Sequence, residues 1–507
     1  MGVETSEGRG DVTPVAPAAP DSVTHCVVGG AHAFILRITS FFGLAPLRFE
    51  SRANGFTVSI SGAMTVYSFI LVTILITLTI FGLVAEINVG TKKSVRMSSR
   101  MSQVVSTCDV LVVVATAAVG VYGAPARMRN MLKVMERVAT VDTTVSGHYS
   151  LVTERKLCGV LLAILVFFSI LIVDDFCYYA LQAKKLNREW EIVVNYIGFY
   201  LLWYAVMLLE LQFAFTALSV RARFSALNDA LALTARSLAV PEKARKPVPF
   251  NIFAIRVTPL DSQRTDDVSL LVDAAPKKRH IIVRRSVSGE PRLIMGPSEA
   301  IHGLAALHGS LCEVVHRIDE SYGIPLVVIL ISTLLHLIVT PYFLIMELIT
   351  SSPTHRIHFL VLQFLWCATH LLRMFVVVEP SHYTITEGKR TEGLVCRLMA
   401  AVPSAGSLPS RLELFSRQLM LRSVSYTPMG MCTLDRPLVA SILGAVTTYL
   451  VILIQFQRQF TLEDRYRLRV CNETFSYIKR DLLSRIDQLR INCQISNITA
   501  NEFSDIA

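Results

Sequence analysis

The sequence has little charge and lacks the motifs of common enzyme classes. Only 17% of its 507 residues are charged and 52% are hydrophobic, whereas an average soluble domain has about 25% charged residues. The ten cysteines include no Cys-x-x-Cys pair, so we expect neither a zinc site nor a disulfide framework. Gly-x-Ser-x-Gly, a phosphate-binding loop and His-Glu-x-x-His are also absent from the sequence, which argues against an enzyme and against a bound cofactor.

The amino-terminal 30 residues, rich in Pro, Ala and Gly, lack a basic segment followed by an apolar stretch and a cleavage site. We therefore expect this end of the chain to stay in the cytosol. The formal net charge is +10, which in a soluble protein would favour nucleic acid as a partner. Here the basic residues lie between apolar runs, so membrane topology explains them better and no nucleic acid is expected.

Seven apolar runs are long enough to cross a lipid bilayer, which requires about 20 residues in a helix. They are Thr65–Val84, Val104–Tyr122, Leu157–Val173, Ile192–Ala217, Ile324–Leu348, Ile357–Val378 and residues 437–457. The sequence thus predicts an all-α membrane protein with seven transmembrane helices, multi-pass in the plasma membrane. No self-similar halves are found, so an inverted-repeat transporter is not favoured.

Two observations predict a cytoplasmic N-terminus and an extracellular C-terminus. With this orientation the cytoplasmic segments carry roughly twice as many Lys and Arg residues as the outer segments. The only two Asn-x-Ser/Thr sequons, at Asn472 and Asn497, both follow the seventh run and become candidate glycosylation sites outside the cell.

The seventh run contains Thr448-Tyr449, five hydrophobic residues and Gln455-Phe456. This pattern resembles the signature of the arthropod gustatory receptor family. Further similar segments are Gly43-Leu44-Ala45-Pro46-Leu47, Leu307-His308 through Leu311, Tyr322-Gly323, Phe415, Gln418-Leu419, Thr427, Gly430 and Leu434-Asp435-Arg436. The chain departs from the family by continuing for about 50 residues after Phe456, where members usually end within a few residues.

The resemblance implies a ligand-gated cation channel: a tetramer, homomeric or formed with related subunits, in which the last helix of each copy lines one central pore. A pore helix without charges would close through a hydrophobic constriction that excludes water. Gln455 and Phe456 are the gate candidates, and Ile452 is a further pore candidate one turn inward. The alternative is that Gln455 and Tyr449 only mark the membrane interface and hold helices together.

These inferences divide the chain into seven parts. We expect a cytoplasmic N-terminal segment (1–64), helices one to four (65–217), a cytoplasmic loop with a disordered middle (218–300), helices five and six with a cytoplasmic extension (301–378), a cytoplasmic anchor segment (379–436), the pore helix (437–457) and an extracellular tail (458–507). Within the anchor segment, Leu412, Leu414, Phe415 and Leu419 are expected at subunit interfaces. In the tail, Ile478 to Leu489 predicts a short amphipathic helix.

The outer halves of several helices carry polar and aromatic residues that would suit a small polar or amphipathic tastant. The predicted ligand pocket comprises Asp109, Asp174, Tyr178, Tyr179, Asn195, Tyr196, Tyr200, Trp203, Tyr342, Glu347, Gln363 and Trp366. Asp175 and His358 lie in the same regions. The alternative is an aromatic belt, because Tyr and Trp collect at both membrane interfaces without binding a ligand.

Acidic residues inside an apolar run are costly, so Asp109 and Glu210 should face protein or water. We expect Glu210 to pair with Arg221 or Arg373. His355 and His358 form a lone pair near the membrane surface, and we expect no metal there.

The main alternative function is a seven-helix receptor coupled to G proteins, which would have the opposite orientation. The sequence has no Asp-Arg-Tyr after the third run, no Asn-Pro-x-x-Tyr in the seventh and no sequon near its N-terminus.

Overall fold

The structure is a computed structural model that describes residues 25–52, 55–90, 94, 97, 100–145, 148–239, 282–285, 291–293, 296–350, 357–402 and 408–504. The helices are α1 (Gly30–Phe41), α2 (Gly62–Val89), α3 (Arg100–Tyr122), α4 (Ala124–Val145), α5 (His148–Lys184), α6 (Glu189–Ala239), α7 (Pro297–Thr350), α8 (Ile357–Ala401), α9 (Leu408–Leu421) and α10 (Arg436–Ser504). The middle of the loop predicted to be disordered lies outside these residues.

Among the described residues, seven helices are long and apolar enough to cross a membrane, namely α2, α3, α5, α6, α7, α8 and α10. The predicted number of spans is confirmed. Several helices are much longer than the apolar runs within them: α7 has 54 residues, and a helix of that length extends about 80 Å, well beyond a hydrocarbon core of about 30 Å. The turns in excess of this thickness therefore lie outside the hydrocarbon core.

Two small antiparallel sheets accompany the helices and were not expected from the sequence. The first is formed by β1 (His25–Val28), β2 (Leu47–Arg52) and β3 (Gly55–Ile60) in the order β1-β3-β2. The second pairs β4 (Ile282–Arg285) with β5 (Pro291–Leu293). Strands β1, β4 and β5 have four residues or fewer, too short for a clear alternation of polar and apolar side chains, whereas β3 does alternate from Phe56 to Ile60.

The turn between α1 and β2 explains the glycine in the amino-terminal segment that resembles the family. Gly43 has a φ of +77°, a conformation that a residue without Cβ adopts readily. Leu44 and Ala45 are fully buried, and the buried guanidinium of Arg127 donates to the Leu44 carbonyl at 2.8 Å. This contact joins the amino-terminal segment to α4.

Helix α6 lies at the centre of the bundle and packs against α2, α5, α7 and α8. Close approach of α2 requires a small residue, because a Cβ added at Gly82 would lie 2.1 Å from the Asn195 carbonyl oxygen. Large side chains from α6 fill the core, including Phe213 and Phe215. A position on α6 therefore faces several helices at once.

The last helix, α10, continues without interruption from Arg436 to Ser504, a length of 69 residues. The segment predicted as a separate short helix in the tail is instead part of it. The side chains described between residues 469 and 485 are exposed. Beyond the membrane-spanning part, the described tail is thus a single projecting helix.

Candidate ligand site and pore helix

A group of stacked rings lies where α5, α6, α7 and α8 meet. We call it the ring cluster and define it as Phe168, Trp203, His336, Trp366 and His370. Trp203 is central: its ring centroid lies 4.8 Å from that of His336, 5.4 Å from Trp366 and 5.6 Å from His370. His370 stacks on both His336 and Trp366 at an interplanar angle of 26°. All five side chains are buried.

Helical spacing brings the contributions of α8 together. Trp366, His370 and Arg373 are separated by four and three residues, which places them on one face of the helix. That face is turned toward Trp203 on α6, because Arg373 also lies over the Trp203 ring, with its Cζ 4.4 Å from the centroid. Arginine stacked on an aromatic face gains cation–π attraction when it is desolvated.

Beneath the ring cluster, Arg373 pairs with Glu210, and both side chains are fully buried. The Arg373 Nε lies 3.1 and 3.0 Å from the two carboxylate oxygens, and Nη2 donates as well. Of the two partners considered for Glu210, the structure selects Arg373, whereas Arg221 lies over the ring of Tyr383 at 4.9 Å. Each buried charge is therefore compensated by the other.

Asp109 on α3 reaches the ring cluster through His336. Its Oδ1 lies 2.7 Å from His336 Nε2, and Asp109 is 9% exposed. The other ring nitrogen of His336 faces the carbonyl of Ser332, one turn earlier on α7. The imidazole thus lies between the Asp109 carboxylate and the Ser332 carbonyl, where α3 approaches α7.

A second carboxylate, Asp175, lies at the edge of the ring cluster. The Tyr200 hydroxyl donates to its Oδ2, and Trp366 Nε1 donates to its Oδ1 at 3.1 Å. Asp175 is 5% exposed. It therefore joins α5, α6 and α8 in one hydrogen-bonded group.

At the position directly before Asp175 on α5, a more accessible rim surrounds Asp174. His358 Nε2 lies 3.2 Å from Asp174 Oδ2, with side chains about half exposed. The Tyr178 ring contacts both His358, at 5.4 Å, and Tyr179, at 5.5 Å. This rim is a polar, aromatic surface that solvent reaches, next to the buried Asp175. His355 lies outside the described residues.

The remaining predicted pocket residues are placed as follows. Asn195, Tyr196 and Gln363 are buried, with 8 to 9% exposure, on the same two helices that carry Trp203 and Trp366. Tyr342 is 3% exposed and contacts Phe343. The side chain of Glu347 lies outside the described part of the structure.

The prediction from sequence did not include His336 and His370, which are central to the ring cluster. One signal was available, because ionisable side chains within an apolar run mark functional positions in membrane proteins. Helical spacing from Trp366 would have selected His370 as well.

Helix α10 has two different sides within its apolar part. Val439, Ile442 and Val446 are buried against Leu337 and Ile338 of α7 and against Met374 and Val378 of α8. The motif residues lie on the uncovered side: Tyr449 is 53%, Ile452 37% and Phe456 52% exposed, and Thr448 and Gln455 are also exposed. In a single copy of the chain, these side chains are therefore left largely uncovered.

The anchor segment requires a correction. Leu412, Phe415 and Leu419 are buried within the subunit, at 1%, 0% and 6% exposure, so the expectation that they form subunit interfaces is wrong. Phe415 packs edge-on against His308. Of the four residues, Leu414 alone is exposed, at 63%. The expectation failed because helical spacing identifies an apolar face without identifying what covers it.

Comparison with known proteins places these features in a family. Residues 32–460 match the family described as 7tm chemosensory receptor. The chain is 31% identical over 438 residues to the gustatory receptor for sugar taste 43a of Drosophila melanogaster, an alignment that covers 84% of this chain and 97% of that receptor.

Two solved structures of the insect olfactory receptor OR5 from Machilis hrabei have a similar fold. The complex with eugenol has a TM-score of 0.56 at 12% identity, and a second structure of the same receptor has 0.55 at 13%. Each comparison covers 84% of this chain and 97% of the receptor. The matched family covers most of the chain, and the chain belongs to the 7tm chemosensory receptor family, as a gustatory-receptor-like membrane protein.

Proposed function

We propose that this chain is the subunit of a cation channel that opens when a small polar tastant binds between the rim and the ring cluster. The observation that carries the proposal is that α7 and α8 have two roles. Both contribute rings to the cluster, and both pack against α10 through Leu337, Ile338, Met374 and Val378. A ligand that changes the packing of the rings therefore displaces the helices that support the pore helix.

The residues near Asp175 favour a sugar or a similar polyhydroxy compound. Carboxylate and amide groups bind hydroxyls, and indole faces pack against the apolar faces of a small ring. Asp175, Gln363, Trp203 and Trp366 supply both kinds of group. The similarity to a receptor named for sugar taste supports the same class of ligand.

The uncovered side of α10 is proposed to line the pore of a homo- or heterotetramer, with Gln455, Phe456 and Ile452 at the constriction. Exposed apolar side chains at a pore axis would be covered by the equivalent residues of the other copies. Further exposed apolar residues, Leu414, Met420 and Leu421 on α9, are candidates for subunit contacts in the anchor segment. Replacing Phe456 by Ala should then increase the leak current without ligand.

In the proposed orientation, with the N-terminus inside and the C-terminus outside, Asn472 and Asn497 would enter the lumen of the secretory pathway. Asn472 is exposed on α10, and the side chain of Asn497 lies outside the described residues. We expect N-glycosidase to shift the mobility of the wild-type chain but not that of a variant with both residues replaced by Gln. An epitope tag at the N-terminus should stain only after the cells are permeabilised. A tag at the C-terminus should stain in intact cells.

The three tryptophans provide a matched test of the ligand site. In cells that lack other chemoreceptors, a sugar panel should produce a cation current that persists during G-protein blockade. Trp203→Leu and Trp366→Leu should abolish it at unchanged surface expression, because both indoles belong to the ring cluster. Trp190→Leu should conduct normally, since Trp190 is 76% exposed. A current lost with all three variants, or one that requires a G protein, contradicts the proposal.

A further inference from the structure

The pore helix is attached to its own subunit in two chemically different ways. Along its middle, Val439, Ile442 and Val446 make apolar contacts with α7 and α8. At its first residues the contacts are ionic. There Asp435 and Arg436 meet Glu379 and His382 of α8, and we call these four residues the base clamp.

The geometry of the base clamp is specific. Arg436 Nε donates to Glu379 Oε1 at 3.0 Å and Arg436 Nη2 donates to Oε2 at 3.1 Å, which makes the pair bidentate. Asp435 Oδ1 accepts the backbone N–H of Arg436 at 2.7 Å and also contacts His382 Nδ1. Two side chains of α8 thus hold the first turn of α10.

A bidentate pair fixes orientation as well as distance. The side chains of Glu379, His382 and Asp435 are 22%, 22% and 25% exposed, and that of Arg436 is 55% exposed, so the three acceptor-side groups are partly shielded while water reaches the guanidinium. Partial burial raises the pKa of Asp435, but the contacts with His382 and the Arg436 amide outweigh it and the net shift is downward. Asp435 therefore remains charged. Apolar contacts have no comparable directionality and permit sliding.

We infer that the base clamp is the positioning element that transfers movement of α8 to the pore helix. The inference rests on the proposed function, because it assumes that α10 lines the pore. Glu379 lies 13 residues after Trp366 on helix α8, directly before Pro380, a distance of about 20 Å along the axis. When a ligand shifts the ring-cluster end of α8, the clamp carries that shift to the first turn of α10, while the apolar contacts above it slide.

The test separates ligand binding from opening. Binding is measured as the increase in melting temperature of purified receptor with the activating sugar, and opening as current at saturating sugar. Glu379→Gln and Arg436→Gln should keep the ligand-induced increase and reduce the maximal current at least about fivefold, the lower end of typical coupling between two sites. The charge exchange Glu379→Arg with Arg436→Glu should restore much of the current.

Glu413→Gln is the matched control, because Glu413 forms an exposed pair with Arg417 on α9; it should leave both measurements unchanged. If Glu379→Gln does not reach the surface, the maximal current of Arg436→Lys tests the inference instead. It keeps the charge but loses the bidentate geometry, so its maximal current should fall. Full current in Arg436→Lys and in the Gln variants overturns the inference. A wild-type receptor that gives neither a melting shift nor a current with any sugar contradicts the proposed function instead.

Discussion

Replacing Arg373 by Met tests whether the ion pair beneath the ring cluster is a structural requirement. The substitution keeps most of the side-chain length but leaves the Glu210 carboxylate without its partner in a site where both side chains are fully buried. Removing one member of a buried pair costs about 3–5 kcal/mol, whereas replacing both members often costs little. The Cζ contact with Trp203 at 4.4 Å is lost as well, so the ring cluster should loosen.

The assay is thermal unfolding of detergent-purified receptor, followed by fluorescence-detected size exclusion. The melting temperature of Arg373→Met should be well below wild type, and the double variant with Glu210→Gln should recover most of the loss. Arg390 and Asp229 provide the control, since their side chains are 48% and 64% exposed and 3.6 Å apart. Asp229→Asn should cost no more than about 1 kcal/mol. A double variant as unstable as Arg373→Met would refute the reasoning.

Two further predictions concern packing and protonation. Gly82→Ala should prevent surface expression, because its Cβ would lie 2.1 Å from the Asn195 carbonyl oxygen. Gly159→Ala should be expressed normally, because no atom lies within 4 Å of the added Cβ. Equal expression of both variants would contradict the packing of α2 on α6. Burial, reinforced by Arg223, lowers the pKa of His32 from 6.5 to about 4. Between these values the unfolded chain binds more protons than the folded one, so stability should fall as pH decreases through that interval. His32→Gln should make the melting temperature less dependent on pH there, and an unchanged pH profile would be evidence against a neutral buried imidazole.

The number of spans was predictable because a bilayer sets a minimum apolar length that each run meets independently. Trp203, Tyr200 and Trp366 could be proposed for the site because they are unusual residues in apolar helices. Their partners could not be assigned, since the rotation of one helix against another is determined by packing. For the same reason, depth alone left Glu210 with two possible partners, Arg221 and Arg373.

The anchor segment shows the converse case. Leu412, Phe415 and Leu419 share one face of α9, and the spacing correctly identified that face as apolar. Whether such a face packs against its own subunit or against another copy depends on the position of α7 and α8, which come from distant parts of the chain. Here the subunit itself covers the face: Phe415 contacts His308 of α7, and Gln418 donates to the Ala305 carbonyl at 2.9 Å.

Two successive segments of α8 lead to a final prediction about how ligand binding and opening separate. Trp366 and His370 contact the rings of α6 and α7, whereas Met374 and Val378, farther along the helix, contact α10. His370→Leu should mainly shift the sugar concentration that gives half-maximal current, because it changes the ligand site and keeps both indoles. Val378→Ala should mainly lower the maximal current, because it loosens the packing that keeps α8 beside α10, on which the base clamp depends, and leaves the rings intact. If both variants shifted only the half-maximal concentration, α8 would not be transmitting movement to the pore helix.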